Sequence, residues 1–177
     1  ALGFYTEYIP IGDAEWDLML DTEDQKYFRK RVLEIRKTKP IMVAHLPDDE
    51  YGSSHKCKAI ESGSFHINSQ GFVEPCPFAH FAGDNIKEKS LSEIITSPFF
   101  MAFRKRQPFN KNHLRPCSII DNPHVLRDIV AETGAYATHS GAEGVVTDLA
   151  KQLDAYSCEY GKIADRVWED EYVPKEE

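Results

Sequence analysis

Along the first fifty residues the apolar positions change period twice. Residues 2 to 11, "LGFYTEYIPI", are rich in aromatic and β-branched side chains and run out near Pro10 and Gly12, which predicts a strand. Phe28, Val32 and Ile35 then recur at helical spacing, behind a capping box of Thr22 and Gln25 and ahead of Arg36 and Lys37, cations suited to a helix C-terminus. Pro40 ends that helix. "IMVAHL", residues 41 to 46, is a continuous apolar run, the pattern of a strand buried on both faces. Strand, helix and buried strand predict one right-handed βαβ unit, too small to be a stable sheet by itself.

Further along, the apolar runs shorten. Residues 47 to 56, "PDDEYGSSHK", predict a loop. Phe65 to Ile67 and Phe72 to Glu74 predict a hairpin turning through "NSQG". Ser90 with Glu93 is a second capping box and opens a helix through Ile95. Ser97 before Pro98 reads as N-cap and first helical residue of a helix carrying Phe99, Phe100 and Phe103 as core packing and stopping before Pro108. Asn122 and Pro123 repeat the device, and Gly134 closes that helix as a C-cap. A long helix is expected from about Ala142 to Tyr160, and the tail "DEYVPKEE" is expected to be disordered.

Bulk composition narrows the class. The chain has 177 residues, 41% hydrophobic and 28% charged, as in an ordinary globular protein. A net charge of -8, with basic residues scattered or briefly grouped as in "RKR" at 104 to 106, argues against a nucleic-acid-binding face. No apolar run approaches the roughly 18 to 20 residues of a membrane span, and no basic segment opens a signal peptide. The chain begins without Met and inside a predicted strand, so a piece of a longer, cytoplasmic protein is expected.

Four cysteines are too few for a disulfide scaffold and contain no C-x-x-C pair, which removes a zinc ribbon or thioredoxin motif. Cys57 lies in a Gly/Ser loop, Cys76 between Pro75 and Pro77 at the end of the hairpin, and Cys117 after a proline in "LRPCSIIDNP". Three cysteines on rigid turns can converge on a thiolate site for iron–sulfur or zinc. Spacing alone favours buried structural thiols. Cys158 falls opposite the apolar stripe Val146, Leu149, Leu153, Tyr156 and Tyr160, and is expected to face away from the other three. His80, four residues after Cys76, is the best histidine candidate for a further ligand, and His55 the second. His66 is expected to point off the core face of the hairpin. Asp48, Asp49 and Glu50 suit either the end of a barrel strand or, more commonly, a solvated loop.

Cys57, thirteen residues, Gly71, four residues, then Cys76 resembles the start of the SPASM domain, the auxiliary iron–sulfur module of many radical S-adenosylmethionine (SAM) enzymes. "GFVEPCPFAHF" resembles the family's Gly-x-Val-x-Pro-Cys turn, and "DNIKEKSLSEIITSPFF" its following segment. "FYTEYIPIG" and the βαβ unit resemble the end of the partial (β/α)6 barrel that precedes the module. The resemblance implies an α+β chain in three parts: a barrel remnant at 1–50, a SPASM-like cluster domain at 51–132, and a helical segment and tail at 133–177. It implies one auxiliary [4Fe–4S] cluster on Cys57, Cys76 and Cys117, with His80 a further candidate, serving electron relay or substrate engagement. It implies the rest of the barrel and a peptide or protein substrate as partners. The family's later cysteine cluster is reduced to Cys117, and the C-x3-C-x2-C of the SAM-cleaving cluster is absent, so the radical chemistry would belong to the parent enzyme. The alternatives are a non-catalytic zinc-binding or interaction domain, and a metal-free α+β domain with buried cysteines.

Overall fold

In the computed structural model the described residues are 1–12, 15–46, 57 and 64–173. They form helices and three small sheets, an α+β arrangement. The expected loop at 47–56, with His55 and the acidic run from Asp48, lies outside them.

Strand β1 (Leu2–Thr6) pairs in parallel with β2 (Met42–Leu46), Leu2 opposite Met42 and Thr6 opposite Leu46, across helix α1 (Thr22–Thr38). The βαβ unit is present, but its first strand stops at Thr6 rather than near Ile11. The N-cap of α1 is Asp21, not Thr22: the Asp21 carboxylate accepts the Asp24 N–H at 2.8 Å. A charged acceptor at the positive end of the helix outcompetes the neighbouring hydroxyl. Val32 and Val43 are buried between helix and sheet. Burial of β2 on both faces does not hold. Met42 is 72% exposed, and Phe4 and Leu2 on its partner are 64% and 55% exposed, because one face of a two-stranded sheet has no cover among the described residues.

The hairpin joins β3 (His66–Ile67) to β4 (Val73–Glu74), antiparallel, with His66 opposite Glu74. The Asn68 carboxamide oxygen accepts the N–H groups of Gln70 and Phe72, which folds the turn, and Gly71 closes it at φ 92°. A second antiparallel pair joins β5 (Phe81–Ala82) to β6 (Tyr136–Ala137).

Helix α2 (Leu91–Ile95) carries the capping box of Ser90 and Glu93. Helix α3 (Pro98–Arg106) and helix α4 (Pro123–Thr133) both start on a proline, and Gly134 ends α4 in the left-handed conformation. Neither Ser97 nor Asn122 caps through its side chain. Phe99, Phe100 and Phe103 meet edge to face and are buried with Val73, Phe81, Ile94, Ile119, Leu126, Ile129 and Leu153 in one core. At about 1.5–3 kcal/mol for each large apolar side chain, this core is the main source of stability.

The last helix differs from expectation. A 3-10 turn at Ala142–Val146 precedes α5 (Ala150–Glu171), which starts later and runs further than the sequence pattern indicated, into the expected tail. It ties the N-terminal unit to the core: Gln25 donates to the Tyr156 hydroxyl, Trp16 meets the Tyr156 ring edge-on, and Arg29 pairs with Glu171 at 2.9 Å.

A Cβ at residue 71 would sit 2.7 Å from Asn85 Oδ1 on a backbone that L side chains rarely adopt. Gly71→Ala is expected to destabilise the chain by about 1–3 kcal/mol. Urea unfolding at equilibrium checks this, and an unchanged midpoint would contradict the role given to the turn.

Candidate metal centre

Three separate segments present the three cysteines. Cys57 is buried, and both its backbone groups are held by one side chain: its N–H donates to Gln107 Oε1 at 3.1 Å and its carbonyl accepts from Gln107 Nε2 at 3.0 Å. Cys76 follows β4 and forms an isolated bridge with Ala79, whose N–H points at Cys76 Sγ at 3.3 Å. Cys117 precedes α4. Its N–H donates to Asp121 Oδ2 at 2.9 Å, and its sulfur accepts the Ile119 N–H at 3.4 Å. The Asn122 carboxamide, rather than capping α4, donates to the carbonyls of Arg115 and Cys117 at 2.8 and 3.2 Å. Its local rigidity goes to the cysteine turn.

The electrostatics tie the three thiols together. Burial pushes the Cys76 thiol up to about 12, and the Cys57 thiol adds to the rise, while the N–H groups of Phe78 and Ala79 oppose it. Burial also raises Cys117 well above the ordinary thiol range, followed by Asp121 and then Cys57, with the N–H groups of Ile119 and Ile120 opposing. Cys57 is thus within electrostatic reach of both. Cys158 is exposed on α5, on the side the helical stripe indicated.

Among the described residues no three His, Cys, Asp or Glu side chains are placed to hold a metal ion as they stand. The chemistry of the donor set still fits a cluster. A single zinc, with Zn–S bonds of about 2.3 Å, gathers its sulfurs around one point. A polynuclear cluster takes each sulfur on a different iron, and backbone N–H groups aimed at sulfur are among the contacts that tune such clusters. Cys76 and Cys117 have them.

The histidines sort differently from the cysteines. His80 Nδ1 lies 3.4 Å from Glu74 Oε2, and its ring packs on His139 at 5.3 Å. His66 lies opposite Glu74, off the Val73 face of the hairpin as expected, and its Nε2 is 3.9 Å from the same fully buried carboxylate oxygen. The sequence pattern assigned no site role to Glu74, Gln107 or Asp121. Glu74 follows the core residue Val73, and alternation along a strand turns it to the opposite face; that this face is also covered, by Thr138 near β6, is a long-range fact.

Arg115 locks the Cys117 turn to α5. Its guanidinium donates to the carbonyls of Ser157 and Asp121 at 3.0 and 3.4 Å and pairs with Asp165 at 3.5 Å. It lies over Gly161, where a Cβ would come within 2.7 Å of it.

Residues 57–119, about a third of the chain, match the family model of SPASM, an iron-sulfur cluster-binding domain. The matched segment starts on Cys57 and ends two residues past Cys117. No curated protein and no solved structure matches the chain. The match supports a cluster-binding role for this segment. No described helix is long and apolar enough to cross a membrane.

The raised thiols make the metal-free fold sensitive to alkali. The folded chain keeps Cys76 protonated to about 12, whereas the unfolded chain releases that proton near the ordinary value of 9.0. The contribution is intact below that ordinary value and is lost as pH rises toward 12, because the unfolded state then binds fewer protons. The urea midpoint of metal-free protein should therefore fall steadily above about pH 9, and less steeply in Cys76→Ala. A midpoint flat to about pH 10.5 would contradict the burial of these thiols.

Proposed function

We propose that the chain is the auxiliary-cluster region of a radical SAM protein and holds one [4Fe–4S] cluster on Cys57, Cys76 and Cys117. The observation that carries this is the match of residues 57–119, which begins on Cys57 and takes in Cys76 and Cys117, to an iron-sulfur cluster-binding domain. Bound there, the cluster would supply one-electron chemistry. The chain's own residues would fix the sulfurs: Gln107 holds the Cys57 backbone, Asp121 and Asn122 hold the Cys117 turn, and the hairpin delivers Cys76. The reading needs three protein thiolates and leaves the fourth iron open. Metal binding would release the thiol protons, which burial otherwise holds on.

The exposed apolar face of β1 and β2 suits the remaining strands of a barrel, since parallel sheets are covered on both faces. A peptide or protein substrate would meet the assembled protein.

Anaerobic reconstitution with iron and sulfide is expected to load about one four-iron cluster per chain, with broad visible absorption. Cys76→Ala should lose the iron and the colour. Cys158→Ala, at an exposed position, should keep both. Absence of iron uptake, or tight zinc bound through sulfur in its place, would overturn the reading.

The same chain given SAM and a strong reductant is expected to yield no 5′-deoxyadenosine, because the sequence has no C-x3-C-x2-C. Product from the purified chain would move the radical chemistry into this fragment.

A further inference from the structure

Two carboxylates are buried beside the thiols without belonging to the ligand set. Asp121 is 2% exposed, and its Oδ2 accepts the Cys117 N–H at 2.9 Å. Its backbone is held as well: the Asp121 carbonyl accepts from the Ser157 hydroxyl and from Arg115 Nη2 at 3.4 Å. Glu74 is fully buried at the end of β4, two residues before Cys76. Its Oε1 accepts from Asn68 Nδ2 at 2.9 Å and from the Thr138 hydroxyl, and its Oε2 faces His80 Nδ1 at 3.4 Å and His66 Nε2 at 3.9 Å. Cys57, by contrast, is held by the neutral Gln107 carboxamide.

Both carboxylates act on the sulfurs. After burial, Asp121 is the largest influence holding the proton on Cys117, and Glu74 adds a smaller push at Cys76. A charge that disfavours a thiolate disfavours any further negative charge at the same place. One-electron reduction of a cluster adds one negative charge, and net charge is among the quantities that set cluster potentials. Burial gives these two carboxylates their weight, because water screens them far less than it screens surface charges.

Resting on the cluster reading above, we propose that Asp121 and Glu74 hold down the reduction potential of the cluster on Cys57, Cys76 and Cys117, Asp121 more strongly. Neither is a ligand; each acts through the cysteine it stands beside. Glu74 contributes less because two imidazoles, each able to carry a positive charge, face its carboxylate. The arrangement suits a cluster that gives up its electron readily.

The test is a redox titration of the reconstituted full chain, read by visible absorption after iron content has been measured. Asp121→Asn keeps an oxygen that can accept the Cys117 N–H and removes the charge. At a fixed solution potential it should raise the ratio of reduced to oxidised cluster about tenfold, a shift of about 59 mV for one electron. Glu74→Gln should shift the potential in the same direction by less. Glu159→Gln, which removes one charge at an exposed position on α5, should leave it unchanged. If only one of the two buried variants takes up iron, its potential decides. A potential unmoved or lowered in the variants that load would overturn the proposal. Loss of iron from both buried variants would overturn it too, since the carboxylates would then be holding the cysteine turns rather than tuning the cluster. An unaltered chain that takes up no iron defeats the cluster reading itself; normal loading with unmoved potentials defeats this inference alone.

Discussion

The arrangement of the thiols depends on one constraint: Cys57 must be held without secondary structure. It belongs to no strand or helix, and the Gln107 carboxamide takes the place of a ladder by pairing with its N–H and its carbonyl together. Gln107 is itself the C-cap residue of α3, whose phenylalanines form the centre of the core. The position of Cys57 is therefore inherited from aromatic packing fifty residues away. Cys76 is inherited from the hairpin, and Cys117 from a turn braced by Asp121 and Asn122. Each thiol has its own anchor, and all three anchors rest on the same apolar cluster.

Burial around these sulfurs serves two ends that pull against each other. It shields the thiols from water, Cys57 fully and Cys76 and Cys117 in part, and it holds the protons of Cys76 and Cys117 on. The Cys76 and Cys117 thiols, raised this far, are poor nucleophiles at neutral pH. The backbone N–H groups aimed at Cys76 and Cys117 work in the other direction and favour the charged sulfur. The folded chain is thus biased toward neutral thiols at Cys76 and Cys117, while carrying N–H donors of the kind that stabilise a thiolate.

What the sequence disclosed and what it hid divide along the range of the interactions. The βαβ unit, the hairpin, the capping box at Ser90 and the glycine cap of α4 depend on neighbours within a few residues, and all are found. The exposed side of Cys158 followed from helical period alone. The cap of α1 was misplaced by one residue because Asp21 and Thr22 both offer an oxygen, and only their charge separates them. The start of α5 was misplaced because a 3-10 turn continues much the same apolar spacing. Glu74 was missed for a different reason: a glutamate in a two-residue strand reads as solvent-facing until a distant hydroxyl, an amide and two imidazoles are brought around it.

Gly161 shows how tightly the last helix is set. With no side chain there, the Arg115 guanidinium lies flat on the helix and reaches Ser157 on one side and Asp165 on the other. Ser157 and Asp165 stand four residues before and after the glycine, so the arginine spans two turns like a peg in a notch. A helix notched this way cannot slide along its own axis or rotate without losing the peg. Helix α1, held to α5 through Gln25 and Arg29, and the Cys117 turn, held to it through Arg115, are thereby fixed to one rod.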